Sequence, residues 1–148
     1  MQVRRSNSGV LMVSLKRGDM LRGSVHQVAT DHGIVAATVQ AIGALEDADI
    51  GFYSLERKEY AHKAVDGIVE LTSLLGNITL LDDRPFLHAH VTLGLRNFHV
   101  LGGHLFDASV GVVVEMTLTP IDGEPLRRIM CDEIGLTRWE PNHKPVDN

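Results

Sequence analysis

The chain has 148 residues, of which 44% are hydrophobic and 22% charged, so its length and composition fit one globular domain. The formal net charge of −5 and the scattered lysines and arginines argue against a domain that grips phosphates by itself. One cysteine, Cys131, excludes an intrachain disulfide, and no apolar run reaches the length needed to cross a bilayer. We therefore expect a cytoplasmic protein without a signal peptide or membrane partner.

The predicted elements begin with a short N-terminal arm, residues 1–9, and a first strand at 10–15. The stretch GDMLRGSVHQVATDHG predicts a helix, with Asp19 as N-cap and Gly33 just beyond its C-terminal end. The segments that follow with strand-like patterns are 34–42, 48–54, 58–65, 68–81, 86–94, 100–105 and 110–121. A polar tail, residues 122–148, contains a weakly helical PLRRIMCDE and is expected to wrap the surface or contact a neighbouring subunit.

These elements predict an α+β fold: a single domain with one main helix and a largely antiparallel or mixed sheet of about seven strands. Such a sheet has edges that must be covered, and self-association is one way to cover them.

Four of the eight histidines lie in one short segment, RPFLHAHVTLGLRNFHVLGGHLFD. Because side chains alternate along a strand, FLHAHVTLG has an apolar face that must meet the core and a second face that carries His88 and His90. If the hairpin is centred on Asn97, His90 lies opposite His104. A register slip of two residues would set His88 opposite His104 instead, and would leave all three on one face. His99 falls on the other face or in the turn.

Three imidazoles with this footprint can converge on one ion at about 2.0–2.1 Å per bond. Neutral imidazole favours Zn²⁺ among the available cations, with another divalent transition metal as the alternative. The competing interpretation is that these are ordinary surface or half-buried histidines of a hairpin. Gly102 and Gly103, which precede His104, would let the backbone approach a ligand or another chain closely.

The segments AIGALEDADIGFYSLERKEY, GIVELTSLLGNITL, RPFLHAHVTL and VLGGHLFDASVGVVVEMTLT resemble the PPC domain, the "plants and prokaryotes conserved" domain. The resemblance places this domain at residues 10–121, with 122–148 as a C-terminal extension. It implies an α+β domain that assembles as a homotrimer. It also implies a metal held by the histidines of H-x-H and GGH, here His88, His90 and His104.

Two further comparisons bear on function. Plant members carry an AT-hook arm that enters the DNA minor groove, and prokaryotic members are often labelled DNA-binding by analogy, but VRRSNSG lacks the Gly-Arg-Pro core of that arm. The histidine hairpin is also similar to the zinc site of acetolactate decarboxylases, in which zinc polarises a substrate carbonyl. A shared fold does not by itself establish the reaction.

Other polar residues give secondary candidates. Glu115, in the apolar strand VGVVVEMTL, is either a fourth ligand or general base, or a solvent-facing residue of the sheet. Asn77 either fixes a turn or bulge, or lines the cleft and contacts a ligand. The acidic neighbours of Cys131 argue against a reactive thiol. The remaining histidines are expected to be structural or solvated: His26, His32, His62 and His143.

Three functions remain open. The first is a trimeric zinc-binding protein that serves as a ligand- or partner-binding module. The second is a DNA-binding, transcription-associated protein, although nucleic acid is not expected to bind without a partner. The third is a zinc-dependent lyase or hydrolase that acts on a small oxygenated substrate.

Overall fold

A computed structural model describes residues 1–140 of the chain. Within that range the elements are β1 (Gln2–Arg5), β2 (Leu11–Lys16), α1 (Leu21–Asp31), β3 (Ala37–Ser54), β4 (Glu59–Leu81), β5 (Arg84–Gly94), β6 (Val100–Pro120), β7 (Arg128–Cys131) and β8 (Leu136–Trp139). The predicted α+β class with one helix is confirmed, and the described residues form eight strands where about seven were predicted.

The main sheet has six strands in the order β1-β2-β6-β3-β4-β5, and every neighbouring pair is antiparallel. β5 also pairs with β6, so the four strands β3 to β6 close on one another. This second pairing sets the two histidine-bearing strands side by side. β7 and β8 form a separate two-stranded sheet.

Several predicted strands merge into longer ones. Residues 37–42 of the first predicted segment and all of 48–54 belong to β3, which continues through the predicted break with register shifts at Ala41/Gly43 and Glu46/Ala48. Asp47 takes a positive φ of 54° at the second shift. The residues that indicated a turn are therefore used as β-bulges, which bend a strand without ending it. β4 and β6 likewise each join two predicted segments.

The helix α1 begins one residue later than predicted. Met20 occupies the N-cap position without a side-chain hydrogen bond, and the Asp19 carboxylate instead accepts a hydrogen bond from the Lys16 backbone N–H at 3.0 Å. The prediction of Asp19 as N-cap is therefore wrong. Gly33 has a φ of 63°, the left-handed conformation expected just beyond a helix C-terminus. The buried face of α1 packs on β5 and β6 through Leu21, Val25, Val28 and Ala29.

Both ends of the described range, residues 1–140, contribute strands. Residues 2–5 of the predicted arm form the edge strand β1. The segment predicted as weakly helical contains β7, which pairs with β8 in a hairpin whose turn includes Gly135 at a φ of 69°. The hairpin is tied to the main sheet by hydrogen bonds from the Tyr53 hydroxyl to the Ile134 carbonyl at 2.5 Å and from the Leu80 N–H to the Leu126 carbonyl at 2.9 Å. These long-range contacts outweigh the weak helical preference of the segment.

Among residues 1–140, no helix is both long and apolar enough to cross a membrane.

Candidate metal centre

Three histidines converge on one face of the β5–β6 hairpin. His90 lies directly opposite His104, as the register centred on Asn97 predicts. The ring centroids are 5.4 Å apart for His88 and His90, 5.2 Å for His88 and His104, and 5.5 Å for His90 and His104. One ring nitrogen from each histidine lies within 4.8 Å of the others. The predicted trio is therefore brought together.

The apolar face of β5 fixes this arrangement. Its alternate residues are buried in the core: Leu87, Ala89, Val91 and Leu93. A register slip of one residue would expose that stripe to water, so burial holds the histidines on the opposite face. The hairpin turn is closed by the Phe98 N–H, which donates to the Leu95 carbonyl at 2.8 Å. His99 lies exposed at the end of that turn, where its backbone N–H donates to the Asn97 side chain, so its predicted position is confirmed.

Burial keeps the innermost histidine neutral. His104 is 8% exposed, and this desolvation, more than the neighbouring His88, His90, Arg22 and Arg128, lowers its pKa from 6.5 to about 4. Burial also lowers the pKa of His88, with a smaller effect from Arg128. Neutral imidazole is the form that binds a metal, so neither ring needs to lose a proton at neutral pH.

The donor set fits a divalent metal. The Nδ1 atom of His104 is buried and has no hydrogen-bond partner, an arrangement that costs stability unless something else binds that atom. Tetrahedral ligands at about 2.1 Å from zinc are roughly 3.4 Å apart, so small ring movements would bring the three nitrogens to bonding distance. His88, His90 and His104 could then hold the ion together.

A cleft of about 680 Å³ adjoins the cluster. Tyr60 and Phe106 each lie 5.0 Å from the His104 ring between centroids and form an aromatic wall beside it. The residues that line the cleft are Tyr60, Asn77, Phe86, His88, His104, Arg128, Ile134, Leu136, Thr137, Arg138 and Trp139. The C-terminal hairpin thus supplies six of these eleven residues, which the sequence did not indicate because no local pattern shows where a tail folds back.

The two glycines before His104 serve contacts between strands. A Cβ on Gly103 would lie 2.7 Å from the Gly51 carbonyl oxygen, and one on Gly102 would lie 3.1 Å from that of Val91. The close approach that was expected toward a ligand or another chain is therefore made here to neighbouring strands of the same sheet. It lets β6 fit between β3 and β5 and so positions His104.

Asn77 and Glu115 have different surroundings. Asn77 lies opposite His88, lines the cleft, and has a buried Oδ1 atom without a hydrogen-bond partner. Glu115 is exposed on β6, where it lies between Ser14 and Ile42 and lines a different hollow. The structure does not bring Glu115 together with the three histidines.

The other histidines lie outside the cluster. His26 is half-buried on α1, where burial lowers its pKa, and His32 follows the helix. His62 stacks on Phe106 at 4.0 Å and contacts the Asp49 carboxylate through Nδ1 at 3.1 Å. His143 lies outside the described residues. Cys131 is a free, half-buried cysteine at the end of β7.

Fold and site together define a single-domain α+β protein that carries a three-histidine cluster on a closed antiparallel sheet. The Plants and Prokaryotes Conserved (PCC) domain matches residues 3–122. The chain belongs to this family, the one written PPC above, and the resemblance drawn from the sequence is confirmed.

Solved structures agree with this assignment. A plant- and prokaryote-conserved protein of Pyrococcus horikoshii is 34% identical with a TM-score of 0.86, over 97% of this chain and 96% of its own. A metal-containing protein of Archaeoglobus fulgidus is 35% identical with a TM-score of 0.85, over 95% and 97%. A protein of Ralstonia eutropha JMP134, named provisionally as DNA-binding, is 29% identical with a TM-score of 0.86, over 95% and 96%. No curated protein matches the sequence.

Proposed function

We propose that this chain is a metal-binding module in which His88, His90 and His104 hold one zinc ion, or another divalent transition metal, and present it to a ligand. The observation that carries the proposal is the convergence of three imidazoles, one of them buried with an unpartnered Nδ1. The metal-containing relative of Archaeoglobus fulgidus supports it.

The proposed site offers three protein ligands and an open position. No aspartate, glutamate or cysteine lines the cleft among the described residues. Structural zinc sites are closed by four protein ligands, whereas sites that act on a ligand keep one position free. An ion held here would therefore bind water or a small molecule from the cleft and withdraw electrons from the bound oxygen.

Elemental analysis tests the metal claim. Tag-free protein should take up about one zinc ion per chain, and a His88→Ala/His90→Ala variant should lose it. His99→Ala, which changes an exposed histidine of the same hairpin, is the matched control and should keep the ion. Less than about 0.2 ion per chain in the wild type, or equal content in the double variant, would contradict the proposal.

We further propose that the chain assembles as a homotrimer through the outer face of the sheet. Met12, Ile42 and Leu75 are 41%, 57% and 61% exposed and line one shallow hollow. Apolar patches of this kind on a small domain favour association, and the family resemblance implies a trimer. Leu75 lies directly opposite His90, so this face extends to the metal site.

DNA binding is a second candidate. The name of the Ralstonia relative supports it, and Arg4 and Arg5 are exposed on the edge strand β1. The net charge of −5 opposes it. A gel shift with duplex DNA at low salt, near 50 mM, decides: binding that weakens steeply with salt would support a regulator, and no shift at micromolar protein would exclude autonomous DNA binding.

A zinc-dependent lyase or hydrolase is the third candidate. The open coordination position of the proposed site favours an enzyme, since a metal ion needs a free position to polarise a carbonyl or activate water. General acid–base catalysis also needs a group within hydrogen-bond reach, and no carboxylate of the described residues lines the cleft. Turnover of keto acids by zinc-loaded protein that is lost in His104→Ala would support an enzyme. Equal rates in both would exclude this reading.

A further inference from the structure

The cleft beside the histidines carries an unusual balance of charge. Two arginines, Arg128 and Arg138, are among its lining residues, and no acidic residue of the described chain is. A third guanidinium, that of Arg22, lies 5.2 Å from the centroid of the cleft residue Phe86. The chain as a whole is acidic, so positive charge is concentrated at this site.

Arg128 is the most informative of these residues. It is half-buried, and its guanidinium contacts only neutral groups: the Thr79 hydroxyl at 3.3 Å, the Thr137 hydroxyl at 3.4 Å and the Thr137 carbonyl at 3.3 Å. It forms no ion pair within residues 1–140. A partly buried guanidinium without a carboxylate partner is costly to keep.

The neighbouring residue gives the contrast. Arg127 is exposed and pairs with the carboxylate of Asp83, which lies in the turn between β4 and β5. Arg127, which directly precedes β7, thus contacts a carboxylate, whereas Arg128, the first residue of β7, lines the cleft. The exposed arginine therefore has an acidic partner, whereas the half-buried one, whose charge is costlier to leave unpaired, has none among residues 1–140.

Arg128 and Arg22 share one aromatic neighbour. Both guanidinium carbons are 5.2 Å from the centroid of the Phe86 ring, which offers each a cation–π contact. Two cations around one ring repel each other, and a metal ion at the histidines would add to that repulsion. An anion in the cleft would relieve it.

We propose that the ligand of this site is a small oxyanion, a carboxylate or a phosphate, held between the metal and the Arg128 guanidinium. A guanidinium fork matches the two oxygens of either group. Asn77 lines the same cleft, and its side-chain N–H groups can donate to an oxyanion. The apolar walls formed by Phe86, Ile134 and Trp139 leave room for an organic group on the anion. This inference rests on the proposed metal site for one of its two anchors.

Calorimetric titration of the zinc-loaded protein with acetate, inorganic phosphate and uncharged acetamide tests the proposal. Acetate or phosphate should bind and acetamide should not, and the tighter of the two anions identifies the source. Arg128→Gln should lower the affinity for the anion by about tenfold or more, because a charge-assisted hydrogen bond is lost. The anion affinity of Arg128→Lys should lie between those of the wild type and Arg128→Gln, since lysine keeps the positive charge but lacks the two-pronged guanidinium geometry. Arg127→Gln, the matched control, should bind as the wild type does.

The outcomes separate this inference from the proposed function. If the wild type and Arg128→Gln hold equal zinc and bind the anions equally, or if no anion binds, the Arg128 site is overturned while the metal site stands. If the wild type holds no zinc, the metal proposal fails. The same titrations on metal-free protein then test the anion site by itself. Anion binding that is lost in Arg128→Gln would then support the oxyanion site, and its absence would overturn it.

Discussion

His104 differs from its two partners in the site because it is buried, whereas His90 is exposed and His88 is half-buried. It also has the larger share of aromatic neighbours, Tyr60 and Phe106. Its neutral ring is therefore a fixed feature of the folded chain at neutral pH. Protonation of this ring in the folded state must overcome its desolvation.

The stability of the metal-free protein should consequently depend on pH. The pKa of His104 is about 4 in the folded chain against 6.5 for a free histidine, so between these values the unfolded chain binds more protons. The free energy of unfolding should fall as pH drops from about 6.5 toward 4, by roughly 1–2 kcal/mol once solvent screening is allowed for. Urea titrations at pH 7 and pH 5 on the wild type and His104→Asn measure it. The same loss in both would contradict this account.

The histidine trio could be predicted from the sequence because it depends on local regularities. Strand alternation placed His88 and His90 on one face, and both registers considered for the hairpin put His104 on that face. The structure has the register centred on Asn97. Arg128 could not be found this way. Its place in the cleft depends on a hairpin that packs across the sheet, and no local pattern reports that contact.

At the scale of elements, the close fit of β6 between its neighbours positions the site. Gly103→Ala would set a Cβ 2.7 Å from the Gly51 carbonyl oxygen, so the β3–β6 ladder must open around His104. We expect a loss of about 1–3 kcal/mol in the free energy of unfolding. Gly23→Ala, on the exposed face of α1 with its nearest contact at 3.7 Å, should instead gain about 0.5–1 kcal/mol. Denaturant titrations compare the two. An unchanged Gly103→Ala midpoint would refute the tight fit.

The C-terminal hairpin is the second element on which the site depends. The Tyr53 hydroxyl donates to the Ile134 carbonyl, so Tyr53→Phe removes one tie between hairpin and sheet. We expect the free energy of unfolding to fall by about 1 kcal/mol. The substitution should accelerate amide hydrogen exchange more in β7 and β8 than in β5. Uniform acceleration over the whole chain would show that the hairpin does not open as a separate unit.

The sequence identified most strands but misjudged where they end. Gly43 and Asp47 have the chemistry of turns, and the structure uses them in bulges within β3. β-bulges and turns use the same backbone conformations and therefore the same residue types, so local composition cannot distinguish a bulge from a turn. The long-range pairing of β3 with β4 and β6 decides between the two.

At the scale of the whole molecule, the exposed apolar face predicts assembly. Light scattering should give the wild type a molar mass of three times the 16.2 kDa of one chain. Leu75→Lys places a charge on that face and should yield smaller species. Leu55→Lys is the matched control, because Leu55 is 60% exposed but lies in the turn between β3 and β4. A monomeric wild type, or a trimer that tolerates Leu75→Lys, would refute this interface.

X-ray absorption at the zinc edge would show whether the three histidines bind one metal ion. The zinc-loaded protein should show about three imidazole nitrogens at roughly 2.0–2.1 Å and one further light atom. His104→Ala should reduce the imidazole count by one or release the ion. A spectrum with at most one imidazole, or with sulfur at about 2.3 Å from Cys131, would contradict the account.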